Sequence, residues 1–252
     1  LQLCQRAGLV KLGHVAIDGT KVKANASKHK AMSYDRMKEK EAELTERVTK
    51  LLASAEAADR TEDQTLGVGR RESDLPEDLR HARGRLEKIR AAKAELEAEA
   101  KAQKELKEKE HEDPPPGSAT PLPSHQIPRD AEGTPGPKAQ RNFTDAESRI
   151  QKANDGFVQG FNCQAGVDGA NQIIVAQAVT NQPPDVQHLI PVLEQVIANC
   201  GEAPSKTTAD AGYFSEANVA KAESLGTDPH VATGRKKHGY MQATLQSQPE
   251  GK

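Results

Sequence analysis

Aromatic residues are the feature that most limits how this chain can fold. Its 252 residues include no Trp, three Tyr and four Phe, and none of these lies between Tyr34 and Phe143. Only 35% of the residues are hydrophobic, which is too few for a single compact core of this size. We therefore expect the two ends of the chain to form the core and the middle to form something else.

Two stretches of the middle show the alternating four- and three-residue spacing of a coiled-coil seam. In residues 34–60 the spaced positions are Met37, Glu41, Leu44, Val48, Leu51, Ala55 and Ala58. In residues 75–112 they are Leu79, Ala82, Leu86, Ile89, Lys93, Leu96 and Ala100. Polar residues 61–74 separate the two stretches and predict a loop. The pattern therefore predicts an antiparallel helical hairpin whose charged faces are solvated.

Proline-rich residues 113–141 follow the predicted hairpin and include the run Pro114-Pro115-Pro116. Such a composition is typical of a linker or a disordered loop. We expect it to separate the hairpin from the next ordered part of the chain.

The two ends of the chain alternate between strand and helix patterns. Val15 to Ile17 form a short apolar strand, and Asp18-Gly19 is a turn dipeptide that predicts a hairpin at this point. Residues 157–167 and 173–179 predict a second hairpin, with Phe157, Phe161, Cys163 and Ala165 at alternate positions of its first strand. The later elements are predicted as a helix from Asp185 to Asn199 that stops at Gly201, a strand over 206–209, a helix capped by Ser215, and a strand over 230–233. This order predicts a mixed α/β fold with a helical insertion.

Asp18 and Asp210 share one sequence context, because each follows a short strand and precedes a glycine within two residues. Carboxylates at strand ends point into the crevice where α/β sheets bind ligands. Two such carboxylates on neighbouring strands can bind Mg²⁺, which prefers oxygen ligands. Taken alone, each aspartate is equally typical of an ordinary turn.

Several other classes of protein fit the sequence poorly. Asp18-Gly19-Thr20 resembles the end of the DxDGT motif of haloacid dehalogenase-type phosphatases, but Ala16 occupies the place of the nucleophile. The three cysteines are far apart and show no zinc-ligand spacing. No run of about 18 apolar residues predicts a membrane span. We expect a cytoplasmic protein that associates with the nucleoid when it binds DNA.

Three sequence blocks together resemble a known family. AIDGTKVKANASKHKAMSY (16–34), DGFVQGFNCQAGVDGANQIIVAQAVTNQPPDVQHLIPVLE (155–194) and ADAGYFSEAN (209–218) are similar to successive blocks of bacterial insertion-sequence DDE transposases, and VATGRKKHG (231–239) is similar to the strand and basic turn that follow. The resemblance implies an RNase H-like catalytic domain in which Asp18 and Asp210 are the first two acidic ligands of Mg²⁺ or Mn²⁺. It also implies cleavage and transfer of DNA strands.

The resemblance further implies a domain plan and a set of DNA contacts. We expect residues 1–33 and 142–240 to form the catalytic domain around an inserted coiled-coil hairpin at 34–112 and a linker at 113–141, with a polar tail at 241–252. The basic residues expected to contact phosphates are Lys21, Lys23, Lys28, Arg235, Lys236 and Lys237.

The third acid of the family has no counterpart that we can assign in the sequence. We therefore expect a truncated chain that also lacks the family's N-terminal DNA-binding region and is inactive by itself. Two alternatives stay open beside this hypothesis: a non-enzymatic protein that forms a homodimer through the coiled coil, and a related Mg²⁺-dependent nuclease.

Overall fold

The computed structural model describes residues 1–66, 77–109, 119–153 and 156–233. The chain divides into two compact units. The first, here called the sheet unit, comprises Leu1–Val22, Gly117–Ser124 and Phe161–Lys252. The second, here called the helical unit, comprises Lys23–Pro116 and His125–Gly160. Each unit draws on segments that are distant in sequence.

The sheet unit is built on five strands. They are β1 (Val15–Lys23), β5 (Gly156–Asp168), β6 (Ile173–Thr180), β7 (Lys206–Ala209) and β8 (Asp228–Val231), of which residues up to Val22 in β1 and from Phe161 in β5 belong to this unit. Their order across the sheet is β6, β5, β1, β7, β8. β5 and β6 are antiparallel, whereas β1, β7 and β8 run parallel to one another. The sheet is therefore mixed, as the sequence predicts.

The described residues of the sheet unit include three helices: α1 (Gln2–Arg6), α4 (Leu189–Cys200) and α5 (Glu216–Ser224). The apolar face of α4 packs on the sheet, and its fully buried residues include Leu189, Val192, Leu193 and Val196. Burial of each such aliphatic side chain stabilises the fold by about 1.5–3 kcal/mol. These residues and Val15 and Ile17 of β1 form the core of this unit.

The ends of α4 and α5 follow from their capping residues. Gly201 ends α4 with a left-handed backbone (φ 87°), and its N–H donates to the Ile197 carbonyl at 2.7 Å. The Ser215 hydroxyl caps α5 by accepting from the Asn218 N–H at 3.1 Å. Both caps confirm what the sequence predicts.

The helical unit contains two long helices, α2 (Tyr34–Leu66) and α3 (Glu77–Lys109). They pack through the predicted seam, where Met37 and Leu44 of α2 contact Leu86 and Ile89 of α3 in one buried cluster. Three short strands accompany them: β2 (Ala31–Ser33) pairs with β3 (Gln140–Asn142), and β4 (Arg149–Ala153) pairs with residues 156–160 of β5. α2 continues to Leu66, beyond the predicted helix end at residue 60, and residues 67–74 of the predicted loop lie outside the described residues.

Residues 119–141 differ from the predicted linker. Ile127 and Ala139 are buried against Leu96 and Ala100 of α3. The Gln103 side chain accepts from the Ile127 N–H at 2.8 Å and from Arg129 at 3.2 Å. These contacts order the described part of a proline-rich stretch, whereas residues 113–118 lie outside the described residues.

The predicted hairpin at Asp18-Gly19 is wrong, because β1 runs without interruption from Val15 to Lys23. The predicted helix start at Asp185 is also wrong. Residues 185–188 form a turn, and α4 begins at Leu189 after the Pro183-Pro184 pair. The last strand, β8, begins at Asp228, two residues before the predicted start.

No helix within the described ranges is long and apolar enough to cross a membrane.

Candidate active site

Asp18 and Asp210 lie side by side on neighbouring strands of the sheet unit. β1 and β7 are parallel, with Ile17 in register with Ala209, so the next residue of each strand is an aspartate at the same level. Ile17 is buried, and side chains alternate along a strand, so Asp18 projects from the opposite face of the sheet, whereas Asp210 directly follows the last residue of β7. Both are exposed to solvent.

Each aspartate is held through one carboxylate oxygen. Oδ1 of Asp18 accepts from the Gly19 N–H at 2.7 Å. β7 ends just before Asp210, which caps a 3-10 turn (Ala211–Tyr213) and accepts from the Gly212 N–H at 2.8 Å. Because these donors are backbone groups, the fold itself orients both carboxylates.

Tyr213 is a buried tyrosine of the sheet unit that packs against Gly19 and Gln164. It is 1% exposed, and its hydroxyl donates to Oε1 of Gln164. Burial raises the pKa of Tyr213 well above its ordinary value, and the charges of Asp185, Asp18 and Asp210 raise it further. Tyr213 therefore stays protonated at neutral pH.

Two glycines allow this close packing. A Cβ on Gly19 would collide with the Gln164 amide nitrogen and lie 3.0 Å from the Tyr213 hydroxyl oxygen. A Cβ on Gly212 would lie 3.0 Å from Oδ1 of Asp210 and 3.6 Å from Oδ2 of Asp185. Gly19 therefore allows Gln164 and Tyr213 to pack closely against β1 and does not form a turn.

Asp185 accepts hydrogen bonds from side chains of β1 and β5 and so forms the centre of a polar network. Its Oδ1 accepts from Lys21 Nζ at 2.9 Å, from Asn162 Nδ2 at 2.8 Å and from Gln164 Nε2 at 3.0 Å. Burial raises the pKa of Asp185, but hydrogen bonds from Asn162 and Lys21 and the charge of Lys21 outweigh it, so the pKa is lowered overall. Asp185 is therefore ionised at neutral pH.

The predicted DNA contacts lie in different surroundings. The Lys21 side chain is only 16% exposed and forms an ion pair with Asp185, so its ammonium already has a partner. Lys23 and Lys28 are exposed and belong to the helical unit. Arg235, Lys236 and Lys237 lie outside the described residues. Contact of these residues with DNA stays a prediction.

The metal-binding capacity of the site rests on two carboxylates. Among the residues that the structure describes, no group of three or more His, Cys, Asp or Glu side chains is arranged to hold a metal ion. The exposed, backbone-oriented oxygens of Asp18 and Asp210 nevertheless fit a hard divalent cation. Mg²⁺ commonly takes one or two protein carboxylates and completes its shell with water and substrate phosphates.

Several residues of this site cannot be recognised from local pattern. Along β5 the apolar residues predict one face, yet the more buried positions are Asn162, Gln164 and Asp168. The sequence does carry one indication of this buried polar face: polar residues at alternate positions of a strand next to a predicted active site. The sequence pattern predicts Asp185 as the first residue of a helix, but Asp185 lies in the turn before α4.

Comparison with known proteins identifies the family of the chain. The family described as "Transposase DDE domain" matches residues 121–250, just over half of the chain. The chain therefore belongs to the DDE transposase family. The match includes Asp185, Asp210 and Tyr213, and Asp18 precedes it. No curated protein and no solved structure matches the chain.

Proposed function

We propose that this DDE transposase chain carries a divalent-metal site formed by Asp18 and Asp210, for cleavage and transfer of DNA strands. Membership of the family supports a role in DNA transposition. The observation that carries the metal-site proposal is the parallel register of β1 and β7, which sets the two aspartates side by side.

The sheet supports an RNase H-like assignment for the catalytic domain. Its strand order β6, β5, β1, β7, β8 combines an antiparallel pair with parallel strands. We propose that residues 1–33 and 142–240 form this domain and that 34–112 is a coiled-coil insertion. The packed seam between α2 and α3 supports the insertion.

Asp18 and Asp210 would hold Mg²⁺ or Mn²⁺ between the middle of β1 and the end of β7. When bound, such an ion lowers the pKa of an attacking water or 3′-hydroxyl and stabilises the leaving oxygen at phosphorus. The Gly19 and Gly212 N–H groups orient the two carboxylates. The network around Asp185 holds Tyr213 and Gln164 beneath them, so the acids keep one geometry when substrate arrives.

Basic residues would hold the DNA while the aspartates act. Lys23 and Lys28 are exposed cations that fit phosphate contacts. We extend the same proposal to Lys21, Arg235, Lys236 and Lys237. Lys21 would first have to exchange its ion pair with Asp185 for a phosphate.

Self-association through the coiled coil is the alternative to the transposase proposal. Met37, Leu44, Leu86 and Ile89 are already buried within the helical unit, so this part of the seam does not need a second copy. We therefore retain the transposase proposal.

Binding of Mn²⁺, measured by electron paramagnetic resonance, tests the site. We expect the wild type to bind Mn²⁺ and both Asp18→Asn and Asp210→Asn to lose at least about tenfold in affinity, since metal affinity depends on ligand charge. Asp228→Asn, at an exposed ion pair in the same unit, is the matched control. Unchanged affinity in both site variants would remove the proposal.

The nuclease alternative needs a separate assay. Mg²⁺-dependent nicking would be compared on DNA that carries the element's ends and on random DNA of equal length. Preference for the ends supports the transposase, and equal nicking favours a nuclease. With only two acids assigned to the site, we expect weak cleavage by the chain alone.

A further inference from the structure

A basic recess lies within the helical unit and contains none of the residues proposed for chemistry. Its volume is about 800 Å³, and it is formed by the segment before α2, the first turn of α2, the middle of α3 and the residues around β3. Its charged lining residues are His29, Lys30, Arg36, Arg85, Lys88, Glu95 and Arg141. We call this set the basic recess.

The charge of the recess is strongly one-sided. Five Lys or Arg side chains face a single carboxylate, Glu95, which already pairs with Arg141 at 2.7 Å. Lys30, Arg36, Arg85 and Lys88 are exposed, and none of them has an ion-pair partner within the described ranges. In a chain of net charge -2, this concentration is local. It favours a polyanionic partner.

The recess is built on an ordered frame. The Ser27 hydroxyl caps the 3-10 turn of Lys28–Lys30, and Asn142, which is 2% exposed, donates to the Ser27 carbonyl at 2.8 Å. The Phe143 N–H donates to the Lys30 carbonyl at 3.1 Å. The backbone that carries Lys30 is therefore fixed against β3.

The cations on α3 are also fixed in direction. Arg85 and Lys88 are three residues apart and therefore lie on one face of the helix. Their neighbours Leu86 and Ile89 are buried against α2, which sets the rotation of α3. The exposed ring of Phe143 lines the same recess and adds an apolar surface for a sugar or base.

We propose that the basic recess binds the phosphate backbone of DNA and anchors it independently of the metal site. The inference rests on the proposed function in one respect, that DNA is the substrate. It adds a DNA-contacting surface whose residues Arg36, Arg85 and Lys88 precede the family match and are not among the proposed phosphate contacts.

Fluorescence anisotropy of the full chain with a labelled 30-base-pair duplex, in metal-free buffer across a salt series, tests the inference. The test variant is Arg36→Gln/Arg85→Gln/Lys88→Gln. We expect about tenfold or greater loss of affinity and a log–log salt slope smaller by about 2–3, because each lost phosphate contact removes about 0.9 from the slope. All three positions are exposed, so circular dichroism should show an unchanged fold.

The matched control is Lys40→Gln/Lys50→Gln/Lys104→Gln, which removes the same charge from the same two helices outside the recess. Equal losses in both triple variants, or wild-type affinity in the test variant, would overturn the inference. Equally tight binding of poly-glutamate would also overturn it. The test variant should bind Mn²⁺ like the wild type while losing affinity for the duplex, so failure of the recess and failure of the metal site are distinguishable.

Discussion

Removal of the Asp185 carboxylate should destabilise the sheet unit by an amount that its hydrogen bonds allow us to work out. Three donors converge on Oδ1, and a hydrogen bond to a charged group contributes about 1.5–3 kcal/mol. The contributions do not add, because each donor keeps a second acceptor. Lys21 retains the Pro183 carbonyl, Asn162 the Gln182 carbonyl and Gln164 the Asn162 side chain.

We therefore expect Asp185→Ala to lower the free energy of unfolding by about 2–3 kcal/mol. This is the contribution of a single hydrogen bond to a charged group, because the three donors share one acceptor and each keeps another. Asp185→Asn keeps an oxygen but loses the charge, and it should cost about 1 kcal/mol. At about 2–4 °C per kcal/mol for a protein of this size, Asp185→Ala should lower Tm by about 5–10 °C. Differential scanning calorimetry measures the change.

The effect should depend on pH in a stated direction. The pKa of Asp185 is lowered in the fold, so its stabilisation is present above the unfolded value of about 3.9 and is lost as the pH falls through the lower folded value. The stability gap between wild type and Asp185→Ala should therefore narrow below about pH 4. Asp228→Ala, which removes an exposed ion pair with His230, is the control and should change Tm very little. The reasoning is refuted if Asp185→Ala behaves like this control.

Two further predictions concern glycines and are read out by thermal unfolding. Gly19→Ala should cost about 1–3 kcal/mol because its Cβ meets Gln164 and Tyr213, whereas Gly13→Ala, with open space around the new Cβ, should not destabilise. Equal stability of these two variants would contradict the close approach at β1. Gly201→Ala should cost about 1–2 kcal/mol because φ is 87° there, and Gly84→Ala within α3 should instead stabilise by about 0.5–1 kcal/mol. A neutral Gly201→Ala would argue against the left-handed end of α4.

Features set by local spacing were predictable from the sequence. The four-three spacing of apolar residues placed Met37, Leu44, Leu86 and Ile89 in one seam, and these residues are buried together. Helix ends were predictable where one residue determines them, as at Gly201 and Ser215.

Features that depend on distant partners were not predictable. Asp18-Gly19 has turn chemistry, but Gly19 is in a strand because Gln164 and Tyr213 pack against it. The donors to Asp185 come from β1 and β5, so no local pattern identifies it. The proline-rich stretch has the composition of a linker, but Ile127 is 3% exposed because α3 provides a surface for it.

The proximity of Asp18 and Asp210 depends both on local sequence and on the pairing of distant strands. The sequence predicts that each aspartate directly follows a short strand, which is correct for Asp210 after β7 and wrong for Asp18, which lies within β1. Their proximity depends on the pairing of β1 with β7, which only the folded chain reveals.

Crystals of the protein soaked in Mn²⁺ would test the two-aspartate metal site most directly, because anomalous scattering locates the ion itself. We expect an anomalous peak between the carboxylates of Asp18 and Asp210, at about 2.0–2.2 Å from an oxygen of each. That peak should vanish in Asp210→Asn. An ion bound elsewhere, or held by only one of the two side chains, would contradict the account.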